Sequence, residues 1–182
     1  MLIGLLSDTH VHFAGYNVKL STLTSSELPI QIRDAFRGVD LILHAGDVYS
    51  LPVLDKLETI APVLAAEGDD DPFDTVLDKR VKPTQIITVE GVTIKLSHYR
   101  DFADDSKNPP NVVVYGHTHQ SKLEERNGTI RINPGSPTFP GYAHVLGTVG
   151  LISIDSGKAE ARIVQLEGDI GGFPNSTNDR FV

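Results

Sequence analysis

The chain has 182 residues, of which 40% are hydrophobic and 22% are charged, and this composition is typical of one ordinary globular domain. Its 16 Lys and Arg stand against 24 Asp and Glu, and the net charge of −8 argues against nucleic acid and anionic membranes as partners. The absence of cysteine excludes disulfides, thiol catalysis and cysteine-ligated zinc. The amino terminus has no basic segment and only a short apolar run, so we expect no signal peptide and a cytoplasmic location.

The first half of the chain alternates buried strands with amphipathic helices. Three apolar runs predict strands, and two segments with helical spacing of apolar residues lie between them. Ser26 and Ser50 are the expected N-caps of these helices. The resulting β-α-β-α-β order is typical of a parallel sheet with right-handed crossovers. The three predicted strands span residues 2–6, 40–44 and 62–66.

The second half of the chain is rich in strands. The alternation of Val92, Ile94 and Leu96 with polar residues predicts a strand with one buried face, and Asn127-Gly128 predicts a hairpin. We therefore expect an α/β fold in which two sheets pack together with helices outside. Residues 1–166 are expected to form one domain, followed by a loosely ordered tail at 167–182. Further strands are predicted at 112–115, 123–132, 145–154 and 159–166.

A carboxylate or an imidazole follows five of the predicted strands close to their carboxyl ends. Open α/β sheets bind ligands at this edge, and oxygen and nitrogen donors suit a hard or borderline divalent metal. Residues i and i+2 of an extended segment face the same way, so Asp8 and His10 can share one ion. Each piece alone is a weak signal, but the ordered set is hard to explain as solvated turns. The predicted ligands are Asp8, His10, Asp47, Asp69, His98, His117 and His119.

These motifs resemble those of the calcineurin-like metallophosphoesterase superfamily, and in particular its small single-domain phosphodiesterases from bacteria and archaea. The resemblance covers residues 2–166 in the family's order. It implies a four-layer α-β-β-α sandwich of two mixed sheets with flanking helices. It also implies two divalent ions, which could be Mn, Fe, Ni or Zn, and hydrolysis of a phosphoester by a hydroxide that bridges them. The matching motifs are Asp8-Thr9-His10, Gly46-Asp47, Gly68-Asp69-Asp70-Asp71, His98, Gly116-His117-Thr118-His119 and Asn133-Pro134-Gly135-Ser136.

The resemblance also implies a role for each matching residue. A small phosphoester is the implied substrate, with a phosphodiester favoured, and Asp47 and Asp70 are the candidate catalytic residues. Asn133 and Ser136, with His144 nearby in the sequence, are the candidate substrate-binding residues. One ion would take Asp8, His10, Asp47 and His119, and the other would take Asp47, Asp69, His98 and His117, with Asp47 bridging.

The chain departs from the family pattern in four places. Asp69 stands where relatives usually have Asn, and Asp70 stands where many have a His that assists the leaving group. Tyr99 replaces the Gly that normally follows the motif histidine. Residues 101–111 are short and contain two prolines where relatives often carry a helix. In addition, the long segment 11–25 would form either a flap over the site or a plain surface loop.

Two other functions compete with a phosphodiesterase. The first motif also resembles the His-x-His metal motif of amidohydrolases, but those barrels typically need about 250 residues. A retromer scaffold subunit of the same superfamily also has Asp at the position of Asp69, which keeps open a non-catalytic binding module. That relative has lost the His of the first motif, whereas His10 is present here with every other ligand. We therefore favour an enzyme.

Overall fold

Two mixed β-sheets form the body of the protein in the computed structural model, which describes residues 1–12, 23–24, 28–100, 109–143 and 145–168. In spatial order, the first sheet contains β13 (Lys158–Gln165), β12 (Thr148–Asp155), β1 (Leu2–Leu6), β4 (Leu41–His44), β5 (Val63–Ala66) and β6 (Val81–Lys82). The second contains β10 (Lys122–Arg126), β11 (Thr129–Asn133), β9 (Val112–Val114), β8 (Val92–Ser97) and β7 (Thr84–Val89). A separate parallel pair joins β2 (Val11–His12) to β3 (Leu23–Thr24).

Strand β1 lies inside the six-stranded sheet and is buried on both faces. Successive side chains of a strand point to opposite faces, so Ile3 and Leu5 join one hydrophobic cluster and Leu6 joins another. The first cluster fills the space between the two sheets and includes Ile94 and Ile132 of the second sheet. This double burial explains why β1 is a continuous apolar run, as is usual for strands that pair in parallel inside an α/β fold.

Helices α1 (Ile30–Ala35) and α2 (Leu51–Glu58) cover the outer face of the six-stranded sheet. Helix α2 buries Val53, Leu54 and Leu57 there, because residues three and four apart share one helix face. Ser50 occupies the N-cap position, as predicted, but its hydroxyl donates to the Val11 carbonyl (3.1 Å) and caps no helical N–H. A third helix, α3 (Phe73–Val76), and a 3₁₀ turn (Pro140–Tyr142) complete the described helical elements.

The predicted strands are confirmed, and the prediction missed one long strand. The hairpin at Asn127-Gly128 joins β10 to β11, with both turn residues at positive φ (53° and 75°) as a tight hairpin turn requires. The missed strand is β7, which pairs with β8 through a similar turn at Glu90-Gly91. Because β7 is an edge strand with Thr84, Gln85 and Thr88 among its six residues, its sequence lacks a clear apolar run.

The described part of the chain accounts for three of the four predicted layers. The helices described here pack on the six-stranded sheet, and residues 101–108, where relatives often carry a helix, lie outside the described residues. Most of the predicted flap and residues 169–182 of the predicted tail also lie outside them. Among the described residues, no helix is long and apolar enough to cross a membrane.

Candidate metal centre

The carboxyl ends of five strands meet at one edge of the molecule, where both sheets contribute. Strands β1, β4 and β5 run parallel in the first sheet, and β8 and β9 run parallel in the second. Each of these strands is followed by one or two of the predicted ligands, so the loops bring them together. In chain order these ligands are Asp8 and His10, Asp47, Asp69, His98, and His117 with His119.

Four of the seven side chains form a buried group, which we call the inner cluster: Asp8, His10, Asp47 and His119. Their ligand atoms all lie within 4.8 Å of one another. The Nε2 atom of His10 is 3.4 Å from Asp47 Oδ2, and the Nε2 atom of His119 is 3.7 Å from Asp8 Oδ1. Two carboxylates and two imidazoles at these separations suit a single divalent ion.

The remaining three side chains form a more open group, which we call the outer cluster: Asp69, His98 and His117. The Oδ1 atom of Asp69 lies 2.8 Å from His98 Nε2 and 3.2 Å from His117 Nδ1. His98 is buried, whereas the side chains of Asp69 and His117 are 43% and 45% exposed. The outer cluster therefore faces solvent while the inner cluster lies beneath it.

The carboxylate of Asp47 lies between the two clusters. Its Oδ2 atom is 3.4 Å from Nε2 of His10 and 3.5 Å from Nε2 of His98. Its other oxygen, Oδ1, accepts a hydrogen bond from the backbone N–H of Asp70 (3.0 Å). One residue thus reaches both groups of donors, which is the position that a bridging ligand needs.

Two buried atoms of the inner cluster have no hydrogen-bond partner among the described residues. They are Oδ2 of Asp8 and Nε2 of His10. The contact of His10 with Asp47 is short but does not meet hydrogen-bond geometry. A buried polar atom without a partner costs about 1–3 kcal/mol, and a cation bound here would satisfy both atoms. The donor set and these unpaired atoms therefore fit a divalent metal.

The orientations of two histidines are set by backbone carbonyls. Nδ1 of His98 donates to the Ala45 carbonyl (2.7 Å), and Nδ1 of His119 donates to the Phe139 carbonyl (3.0 Å). A carbonyl only accepts, so a neutral ring carries its proton on Nδ1 and turns the lone pair of Nε2 toward the site; without a metal, the contact of His98 Nε2 with Asp69 requires the doubly protonated ring. Metal-ligating histidines are usually oriented in this way.

Five of the seven predicted ligands have a left-handed backbone. The φ angles are 53° for Asp8, 45° for His10, 55° for Asp47, 70° for His117 and 55° for His119. Such angles are strained for residues other than glycine and concentrate at functional sites. Hydrogen bonds between the loops hold this conformation, including Asp8 N–H to the Gly46 carbonyl (3.0 Å) and His117 N–H to Asp8 Oδ1 (3.1 Å).

The glycine at position 68 is required by the close approach of two loops. A Cβ atom added to Gly68 would lie 2.1 Å from both the backbone nitrogen and the Oδ1 atom of Asp47. Both atoms belong to the bridging position, so a side chain at residue 68 would displace the carboxylate that joins the clusters.

Burial shifts the protonation of the inner cluster in the absence of an ion. Burial raises the pKa of Asp8 to about 6. Burial also acts to raise the pKa of Asp47, but the proximity of His10 and the charge of His98 outweigh it and bring that pKa below its usual value. Asp47 is therefore the carboxylate that is ionised first, and a metal must displace a proton from Asp8 at mildly acidic pH.

Two of the predicted substrate-binding residues have no exposed surface and act on the protein itself. Asn133 Nδ2 donates to the Gly116 carbonyl (2.8 Å) and to Thr118 Oγ1 (3.0 Å), so it holds the loop that carries His117. Ser136 Oγ donates to the Asp8 carbonyl (2.7 Å). In this structure the polar groups of both residues are used within the protein, and their role toward a substrate stays a prediction. His144 lies outside the described residues.

Asp70, the second predicted catalytic residue, is exposed at the rim of the site. Its Oδ2 atom accepts a hydrogen bond from the Tyr49 hydroxyl (3.2 Å), and its backbone N–H donates to Asp47 as described above. Asp70 belongs to neither of the two groups of donors.

Aromatic side chains pack on the candidate ligands, and of those described here the sequence analysis singled out only Tyr99. The Tyr49 ring lies 4.4 Å from the His10 ring, the Tyr142 ring stacks on His119 at 4.5 Å, and the Tyr99 ring lies 4.5 Å from His117. Tyr49 also has a left-handed φ of 71° and donates its N–H to Asp71 Oδ1 (2.8 Å). For Tyr49 the available signal was proximity in sequence, since it lies two residues after Asp47.

Two packed sheets with carboxylate and histidine clusters at their shared edge define an α/β protein built to hold metal ions. The comparison with family models agrees, because the model of the calcineurin-like phosphoesterase superfamily domain matches residues 1–157. The chain therefore belongs to the calcineurin-like phosphoesterase superfamily, and the resemblance inferred from its motifs is confirmed.

Similar proteins come from archaea and from eukaryotes. A protein of Methanothermobacter thermautotrophicus named "Probable metallophosphoesterase" is 33% identical over 174 residues, which cover 91% of this chain and 92% of that protein. A phosphodiesterase of Methanocaldococcus jannaschii is 26% identical over 181 residues, which cover 92% of this chain and 100% of that protein. The crystal structure of Entamoeba histolytica Vps29 with Zn²⁺ has the same fold, with a TM-score of 0.63 at 19% identity over 92% of this chain and 100% of that one.

Proposed function

We propose that the protein is a metal-dependent phosphodiesterase with two divalent ions, one in each cluster. The observation that carries this proposal is the position of Asp47, whose carboxylate lies within 3.5 Å of a histidine of each cluster. The archaeal phosphodiesterase that is 26% identical supports the reaction class. Two neighbouring divalent ions acidify a water and polarise phosphoryl oxygens, which is the chemistry that phosphoester hydrolysis needs.

The residues of the chain have separate tasks in this proposal. The inner cluster would hold one ion in a buried cradle, and Asp69, His98 and His117 would hold the second at the surface, with Asp47 shared. The left-handed loops keep these donors in place before substrate binds, so little reorganisation is needed during the reaction.

Asp70, at the rim of the site, affects which phosphoesters are hydrolysed fastest. Asp70 stands where many relatives have a histidine that assists the leaving group, so diesters with good leaving groups should react faster than alkyl esters. Asp69 and Asp70 also place two exposed carboxyl groups next to each other, whereas both oxygens of Asp71 accept backbone hydrogen bonds. The extra negative charge of a monoester is repelled by such a surface, and a diester is therefore the favoured substrate.

The test is hydrolysis of bis-p-nitrophenyl phosphate and of p-nitrophenyl phosphate by the manganese-loaded protein. We expect the diester to have the higher kcat/KM, EDTA to abolish turnover, and Asp47→Asn to lower kcat by at least about 100-fold, because the loss of a ligand exceeds the 10–100-fold effect of an outer-shell change. Asp34→Asn, an exposed change on α1, is the matched control.

Three results would count against the proposal. Equal or better turnover of the monoester would overturn the preference for diesters, and activity that survives EDTA would overturn the metal requirement. Tight binding of two ions without hydrolysis of either ester would favour the alternative, a binding module that keeps the metal centre without catalysis.

A further inference from the structure

A cleft of about 460 Å³ lies beside the outer cluster. Its size is within the range of small-molecule sites. His117, which we propose as a ligand of the second ion, forms part of its wall, together with Tyr99, Arg100, Tyr115 and Lys122. We call these five residues the basic cleft. A substrate whose reacting phosphate lies at the metal centre could therefore place another of its groups in this cleft.

The basic cleft carries positive charge in a chain whose net charge is −8. Arg100 and Lys122 share one carboxylate, Glu124, at 2.5 Å and 2.8 Å. The charge of Arg131 also acts on Glu124 and on the buried Tyr115. Among the described residues that line or pair with the cleft, Arg100 and Lys122 stand against the one carboxylate of Glu124, and this excess of positive charge favours an anion.

The two cations of the cleft are held in place before any ligand binds. Arg100 has its guanidinium carbon 5.8 Å from the centre of the Tyr115 ring and is also paired with Glu124. Its side chain nevertheless keeps 37% of its surface exposed, and that of Lys122 keeps 53%. Side chains that are already ordered lose less entropy on binding, and their exposed N–H groups remain free to donate.

The opposite wall is also pre-formed. The loop from Gly116 to Thr118 is tied to β11 by the two hydrogen bonds from Asn133 described above. Tyr99 packs its ring on His117, and both residues contact the carboxylate of Asp69, which does not itself line the cleft. These contacts fix the wall of the cleft that faces the metal centre.

We propose that the basic cleft binds a second phosphate group, carried by one of the two alcohols of the phosphodiester substrate. Arginine and lysine are the usual partners of phosphate in proteins, and Arg100 and Lys122 both line the cleft. This inference rests on the proposed phosphodiesterase function and specifies its substrate class: a diester with an additional phosphate rather than a diester of two neutral alcohols.

The test compares two substrates that differ by one phosphate, the 5′-(p-nitrophenyl phosphate) of thymidine with and without a 3′-phosphate. For the manganese-loaded protein we expect kcat/KM to be about tenfold higher with the 3′-phosphate, as for one charge-assisted contact. Arg100→Gln and Lys122→Gln should each reduce this ratio about three- to tenfold. The control is Lys158→Gln, an exposed change in the hairpin turn that joins β12 to β13. It should leave the ratio unchanged.

A ratio near one in the unaltered protein would overturn the inference, and so would an unchanged ratio in both cleft variants with unaltered thermal unfolding. If the loaded protein hydrolyses neither substrate, the proposed function fails and the cleft is tested by calorimetry. Tighter binding of thymidine 3′,5′-bisphosphate than of thymidine 5′-phosphate, lost in Arg100→Gln, would still support the cleft. No preference between these two ligands would overturn it.

Discussion

The inner and outer clusters use the same residue types in opposite environments. Asp8, the most buried of the inner ligands, has no exposed side-chain surface, whereas Asp69 of the outer cluster is 43% exposed. Among the described residues, the inner cluster contains buried atoms without hydrogen-bond partners, while Asp69 of the outer cluster is hydrogen-bonded to both His98 and His117. An ion in the inner cluster satisfies buried polar atoms whose lack of a partner destabilises the metal-free protein. An ion in the outer cluster instead competes with existing hydrogen bonds and water. We therefore expect tight binding inside and exchangeable binding outside.

The largest expected effect separates the two clusters directly. His119→Ala removes an inner ligand and should weaken the tightly bound ion by at least about 100-fold, while His117→Ala should release the weaker ion and retain the tight one. Elemental analysis after dialysis, combined with calorimetric titration of Mn²⁺, distinguishes the two losses. If both variants lost the same ion, the division into two sites would be wrong.

The second prediction concerns the stability of the metal-free protein, which the buried carboxyl group of Asp8 lowers at neutral pH. The folded-state pKa of Asp8 is raised from 3.8 to about 6, so its contribution to stability is present below pH 3.8 and is lost as the pH rises through about 6. Asp8→Asn should therefore stabilise the metal-free protein at pH 7.5 by about 1–3 kcal/mol and flatten this pH dependence.

Urea unfolding in EDTA at pH 5 and pH 7.5 measures this effect. With saturating Mn²⁺ the order should reverse, because only the unaltered protein gains stability from a tightly bound inner ion. If Asp8→Asn were less stable than the unaltered protein at pH 7.5 in EDTA, Asp8 would not destabilise the metal-free protein.

The third prediction concerns the charge of the outer cluster. Asp69→Asn removes one negative charge from an exposed position, so the weaker ion should bind about tenfold less tightly and the inner ion should be unaffected. At saturating metal, the more positive centre should also lower the pH at which activity rises in a pH–rate profile. Asp74→Asn, on the exposed side of α3, is the control. An unchanged affinity for the weaker ion would remove Asp69 from the ligand set.

The smallest expected effect is a change in metal affinity when the hydroxyl of one of two tyrosines is removed. One tyrosine lies beside each cluster. The Tyr99 hydroxyl donates to Asp69, whereas the Tyr49 hydroxyl donates to Asp70, which belongs to neither cluster. Tyr99→Phe should weaken the outer ion about two- to threefold, the effect of one exposed hydrogen bond, and Tyr49→Phe should not. Metal titrations of both variants decide the question, and equal effects would show that the hydroxyl of Tyr99 does not support the outer cluster.

The positions of the candidate ligands could be predicted because they depend on local patterns. Apolar runs mark the strands, and in parallel strands every carboxyl end lies at the same edge. The residues that follow β1, β4 and β5 therefore had to come close together. Strand β7 could not be found in this way, because an edge strand with Thr and Gln among its six residues has no clear apolar period.

Other features of the site have no local signal. Asn133 and Ser136 are predicted to bind the substrate, and in this structure both are buried and hold neighbouring loops. An Asn or Ser after a strand can be exposed or buried, and its residue type does not show which. Burial depends on how the two sheets pack, which is a relation between distant segments of the chain.

The sequence by itself determined the fold class, the family and the residue types that gather at one edge, because strand periodicity and motif order are local properties. Only the tertiary structure decided which of those residues are buried, which stay exposed and which reach both clusters. It also created the left-handed loops at five ligands and the basic cleft beside His117. The physical reason is that burial, strain and electrostatic field are sums over neighbours in space. Residues such as Asp8 and His117, 109 positions apart in the chain, become neighbours only after folding.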